Sequence, residues 1–227
     1  MDNSVEFPGD SVELPGDRAA SAFAFSAAAA GALGIATLAA MYAVEVPKGG
    51  PFVFGAINDA TGAVFNVLAI PVILQVHQRL PKAPWTGPLK WVTVTACAAG
   101  ATSSALLVFK VLDFGPSTAI SVAAIVVQGA WFFVANNKLL HVEDYPQGLA
   151  KLGRFIGGAS GSAPPPGWPG VPPSRARVAP LRDDGSGLHR GGASSWAVWP
   201  YWYFKAGRFL GHKQAAGVPG GGAPSAA

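Results

Sequence analysis

A single cysteine, Cys97, stands in this chain of 227 residues. That excludes an intrachain disulfide and every metal motif built from several cysteines. Charge is scarce as well: 12% of the residues are Asp, Glu, Lys or Arg, against about 25% in an ordinary soluble domain. Water is therefore not the expected solvent for much of the chain. No phosphate-cradling G-x-x-x-x-G-K-[ST] loop, no G-x-S-x-G elbow and no H-E-x-x-H helix occurs. The phrase His141-Val142-Glu143 has the H-x-E of zinc deaminases but lacks their C-x-x-C partner. No catalytic residue, metal ligand or cofactor is thus expected, and the protein is expected not to be an enzyme.

What the chain has instead is long apolar runs. Half of it is hydrophobic, and the mean hydropathy is +0.33. The stretch from Phe114 to Asn137 runs 24 residues without a formal charge, and about 20 apolar residues at 1.5 Å rise cross a bilayer core of about 30 Å. Pro116 suits a first helical turn, where a missing N–H costs nothing. Three comparable runs precede it, and together they predict spans at 19–44, 52–78, 91–109 and 114–137. The fold class this predicts is all-α, a multi-pass membrane bundle of four spans with disordered tails. In the third span Ala96, Gly100 and Ser104 recur every fourth residue, a small-residue face that lets a neighbouring helix approach closely.

Charge placement sets the orientation. The amino tail, the 79–90 connection and everything from Lys138 onward carry Arg18, Arg79, Lys82, Lys90 and the later basic residues, whereas the opposite connections carry only Lys48 and Lys110. Basic residues favour the cytoplasmic side, so both termini are expected there, in the plasma membrane. The same bias accounts for the formal charge of +4. With no basic helix or aromatic-basic sheet motif in view, the bilayer is the expected partner, and nucleic acid is not.

The ends are different in character. Residues 1–18 contain SVEFPGD followed by SVELPGD, a tandem repeat whose Pro-Gly pairs favour turns, and they read as a disordered acidic tail. After the fourth span, QGLAKLGRFIGG begins like a fifth amphipathic or spanning helix. Residues 158–195 are rich in Pro, Gly, Ser and Arg and predict no membrane helix. At 196–210 the chain turns aromatic, then basic, which predicts an interfacial segment, and 211–227 read as a second disordered tail. Trp131, Trp199 and Trp202 are the expected interfacial anchors.

The order of apolar spans, the basic turn after the second, and the phrase from Gln128 through Gly157 resemble a family of bacterial six-span membrane proteins known only as a domain of unknown function. The phrase comprises a Trp-bearing span, a short polar loop, Pro, and Leu-x-x-Leu-Gly-x-x-x-Gly. The likeness covers about residues 19–157 and implies six spans, but no activity or site residue. The departure lies between Gly157 and Trp199, about the room that two spans and a tight turn need. Either two compensating frameshifts replaced a helix pair there, leaving the end of a sixth span at its far side, or the segment is a true tail.

Asp59 is the most interesting ionisable residue. A carboxylate in an apolar stretch marks an ion path or a proton relay. Alternatively, Asn58 and Asp59 open the real helix, and Asp59 is a cap or an ion-pair partner of Lys110 near the surface. Asn66 and Pro71 lie on the same span, and Pro71 predicts a kink. His77 and His141 fall at helix ends, Glu143 and Asp144 in a solvated loop, and Asn136 and Asn137 at the end of the fourth span. Gln128 reads as a helix–helix hydrogen bond. Two functional expectations follow. The first is a non-enzymatic membrane protein acting through helix contacts with itself or a membrane-protein partner; the second is a small transporter or proton-linked channel using Asp59, Asn66 and Lys110.

Overall fold

The computed structural model describes residues 14–160 and 191–211, and the regular structure in them is helical. α1 (Asp17–Ala40) continues through a π turn at Met41–Glu45 and a 3₁₀ turn at Val46–Lys48. α2 (Val53–His77), α3 (Thr86–Val108), α4 (Phe114–Leu139), α5 (Gln147–Ser160) and α6 (Gly191–Gly211) follow. Each helix packs on the next in sequence, and α6 returns to pack on α1, closing a ring. The α1–α2, α2–α3 and α3–α4 connections are short, so these helices run antiparallel. Asp17, Arg79 and Tyr145 lie at one end, called basal below. Lys48, Lys110 and Asp113 lie at the other, the distal end.

Four of these helices are long and apolar enough to cross a membrane, the first of them the whole Asp17–Lys48 element. Their most apolar windows are only 17–33% buried inside the bundle. Outward-facing Leu33, Val53, Val64, Val67, Val92 and Val126 are each about half or more exposed. A surface of that kind is stable against lipid rather than water. The protein is therefore an all-α membrane bundle with four spanning helices, as the apolar runs predict.

Boundaries shift in ways that have local causes. α1 begins at Asp17, inside the expected tail, because its carboxylate accepts the Leu14 N–H at 2.9 Å and so closes the entry turn. The rest of that tail, 1–13, lies outside the described residues, as do 161–190 and 212–227. α3 starts at Thr86, five residues before the expected 91. α4 runs past Asn136 and Asn137 to Leu139. Asn136 is no cap: fully buried, it donates to the Phe132 carbonyl one turn back.

The carboxyl-terminal third needs the largest correction. Residues 158–160 complete α5, and 191–195 open α6. The segment 196–210 is not an interfacial strip but the body of α6, antiparallel to α1. Pro200 faces Gly31, and lower down Gly207 faces Phe25. Trp131 and Trp202 are fully buried and Trp199 nearly so, so these three rings face the protein core instead of a headgroup layer. They pack around Phe132, whose ring centroid lies 4.7 Å from Trp202 and 5.0 Å from Trp199. The Trp202 indole N–H donates to the Leu149 carbonyl at 3.2 Å, fastening α6 to the start of α5. For Trp202 this buried carbonyl and the neighbouring rings reward burial more than an interface would, whereas the Trp131 indole N–H is buried with no hydrogen-bond partner among the described residues. Trp91, by contrast, is exposed, with the Lys90 ammonium 5.0 Å from its centroid.

α5 crosses α4 at very short range. A Cβ added at Gly157 would strike the Phe133 backbone and the Gly129 carbonyl, and one at Gly153 would strike the Asn136 side chain. The Gly-x-x-x-Gly spacing puts both glycines on one face and removes the side chains that would hold the helices apart.

Candidate functional site

A cleft of about 800 Å³ runs from the distal end to mid-bundle between α1, α2, α3 and α4, with α6 as part of its floor. Gly31 and Gly34 of α1 and Gly62 and Gly100 of α2 and α3 all line it. At Gly31, Gly34 and Gly100 the missing Cβ lets neighbours approach closely, Pro200, Thr61 and Ala124 lying 3.0, 3.2 and 3.3 Å from where it would stand. Tyr42, Phe52 and Phe114 surround its distal end, and Phe65, Gln128 and Trp199 lie at depth.

α2 supplies its polar wall. The helix already begins at Val53, so Asp59 lies nearly two turns inside and does not open the helix. It is half-buried and lines the cleft, with the Asn58 side chain as its hydrogen-bond partner. Asn66, seven residues on, lies on nearly the same face about 10 Å deeper. Its amide donates to the Gly62 carbonyl at 2.9 Å, which leaves its oxygen to accept the Gln128 amide at 3.0 Å. That relay fixes the direction of Gln128: its nitrogen is used, and its carbonyl oxygen is buried with no hydrogen-bond partner among the described residues. Gln128 is 1% exposed and lines the cleft.

Lys110 lines the same cleft from its rim, yet no ion pair joins it to Asp59 among the described residues. It occupies the left-handed position of the turn that ends α3, with φ of 58°. The Lys110 and Val111 N–H groups close that turn onto the Leu107 and Leu106 carbonyls, a Schellman arrangement that normally takes Gly. Beside it Ser103 and Ser117 bond hydroxyl to hydroxyl at 3.0 Å and hold the distal ends of α3 and α4 together. Of the small-residue face, Gly100 and Ser104 are buried and Ala96 half-buried. Gly100 meets Ala124 and Asn66, and Ser104 faces Gly62. This face is used inside the chain, against α2 and α4.

The remaining expected residues stand apart from the cleft. His77 is buried at the end of α2, His141 is exposed after α4, and Glu143 and Asp144 are exposed beside it. Two buried acids escaped the sequence reading. Glu45 folds back so that its carboxylate accepts the Phe54 and Gly55 N–H groups, capping α2 from outside the helix. Asp17 accepts the Arg79 guanidinium through both oxygens at 2.7 Å and the Gln75 amide at 2.8 Å. Arg79 also donates to the Gln75 carbonyl and stacks 5.3 Å from the Phe209 centroid. This knot ties α1, α2 and α6 at the basal end, away from the cleft. Their only trace in the sequence is an acid flanking an apolar run, which a solvated tail or loop would show equally.

No protein-family model matches the chain, and neither the curated proteins nor the solved structures yield a match.

Proposed function

We propose that this bundle is a small-solute transporter whose binding site is the distal cleft and whose charged group is Asp59. One observation carries it: Asp59, a carboxylate within a spanning helix, lines a cleft of about 800 Å³. An ionisable group inside a span is costly and usually marks a solute or ion path. A cleft of this size, mostly apolar with a few convergent polar groups, is the usual form of a small-molecule site. The rival role in helix contacts with other chains loses its main support, because the small-residue face is already buried against α2 and α4.

The orientation belongs to the same proposal. Arg79, Lys82, Lys90, Lys138, Lys151 and Arg208 crowd towards the basal end, which supports an orientation with that end and both termini in the cytoplasm and the cleft facing outward. The closed ring of helices, with α5 and α6 completing it, also fits a six-span ancestry. The reaction is passage of an intact solute, with no bond made or broken.

Replacing Asp59 by Asn tests the transport role. Cells producing the native protein should hold at least one small solute at a different inside-to-outside ratio from cells producing Asp59→Asn at equal membrane levels. Equal ratios across an untargeted survey of small solutes would overturn the proposal.

A further inference from the structure

The chemistry of the cleft narrows the solute, on the footing that the cleft is the solute site. Among the described residues one carboxylate lines it, that of Asp59. A ligand that satisfies this group must donate hydrogen bonds, and a positive charge on the ligand would pair with it. Among the described residues the one basic side chain lining the cleft, Lys110, is exposed at its rim, so an anion finds no buried cation among them. Tyr42, Phe65 and Trp199 line the same space, and aromatic faces attract ammonium groups within about 6 Å.

A bare metal cation is a poorer fit. Among the described residues no group of three His, Cys, Asp or Glu side chains gathers, whereas a hard divalent cation takes about six oxygen ligands. A space of about 800 Å³ lined mainly by apolar atoms also suits an organic body rather than an ion. We infer that the cleft binds an organic amine, a protonated primary or secondary amine on an apolar body. Its charge lies against Asp59, and its apolar body extends towards Phe65 and Trp199. Asp59 is the binding residue in this assignment.

Benzylamine is the probe, with benzyl alcohol as its neutral counterpart and benzoate as its anionic one. Purified full-length protein in detergent is unfolded thermally with each, and affinities are then measured by calorimetry. Benzylamine at about ten times its Kd should raise the unfolding midpoint by about 3–6 °C, while the alcohol and benzoate leave it unmoved. Asp59→Asn should weaken benzylamine about tenfold or more, and Asp59→Glu should recover most of the loss.

Equal stabilisation by benzyl alcohol, indifferent to Asp59→Asn, would overturn the amine assignment while leaving a solute site in the cleft. Tighter binding of benzoate than of benzylamine would overturn it too. Absence of any shift with benzylamine also overturns it, and the solute ratios of Asp59→Asn cells then judge the transport role separately.

Discussion

At the scale of single residues the most consequential contact is the one between Arg79 and Asp17. Both are nearly buried, their side chains 12% and 2% exposed, and each satisfies the other in a place where neither could stand alone. Replacing Arg79 by Ala strands the Asp17 carboxylate and should cost about 3–5 kcal/mol of stability. Asp17→Asn combined with Arg79→Met removes both charges and should cost far less. Denaturation in mixed detergent, read as a double-mutant cycle, measures the difference. Tyr145, beside this knot, is fully buried, and burial raises the ionisation of its hydroxyl above the usual phenol range. The folded chain therefore holds that proton more tightly than the unfolded chain, whose tyrosines ionise near pH 10. Stability from Tyr145 is whole below about pH 10 and declines as pH rises towards the folded value. Tyr145→Phe should flatten the alkaline arm of a plot of stability against pH relative to the native chain.

Among the elements, α5 is the sharpest case of sequence dictating a contact. Gly153 and Gly157 sit four residues apart on one face, and α4 presses its backbone on that face. Gly157→Leu should lose more than about 3 kcal/mol, beyond ordinary overpacking, because the obstacle is backbone that has no rotamer to change. Gly148→Ala is the contrast: an added methyl there meets nothing within 4 Å, and stability should hold or rise by up to about 1 kcal/mol. Thermal unfolding of the two variants checks both.

The four spans were legible because length and apolarity alone decide them, and so was the capacity of Gly100 and Ser104 for close packing. α6 was not legible. Trp199, Trp202 and Tyr203 have amphipathic rings that suit either an interface or a core, and only the Leu149 carbonyl and the rings around Phe132 decide for the core. Asp59 was legible as an oddity. What makes it part of a site is the cleft that residues of α1, α3, α4 and α6 line with it. That convergence does not follow from spacing along one chain.

Taken whole, the molecule is a ring of helices with two unlike ends. At the basal end aromatic rings and the buried Asp17–Arg79 pair fill the interior. At the distal end a cleft opens with a carboxylate on its wall. Apolar burial supplies little drive between helices in lipid, so close packing and buried hydrogen bonds hold such a ring together. An unfilled space on that background gives up packing contacts, and a ligand that enters it restores them. The central claim is that this space is an aqueous solute site facing outward.

The most direct test is labelling of intact cells with a charged, membrane-impermeant thiol reagent, in a Cys97→Ser background that removes the chain's one cysteine. One new cysteine is placed in the cleft by Ser121→Cys and another on the outer face of α4 by Val126→Cys. Thiols react as thiolates, which need water, so Ser121→Cys should label from outside about tenfold or more faster than Val126→Cys. Equal, slow labelling at both positions would contradict an aqueous cleft, and labelling of Ser121→Cys only after the cells are opened would contradict its outward face.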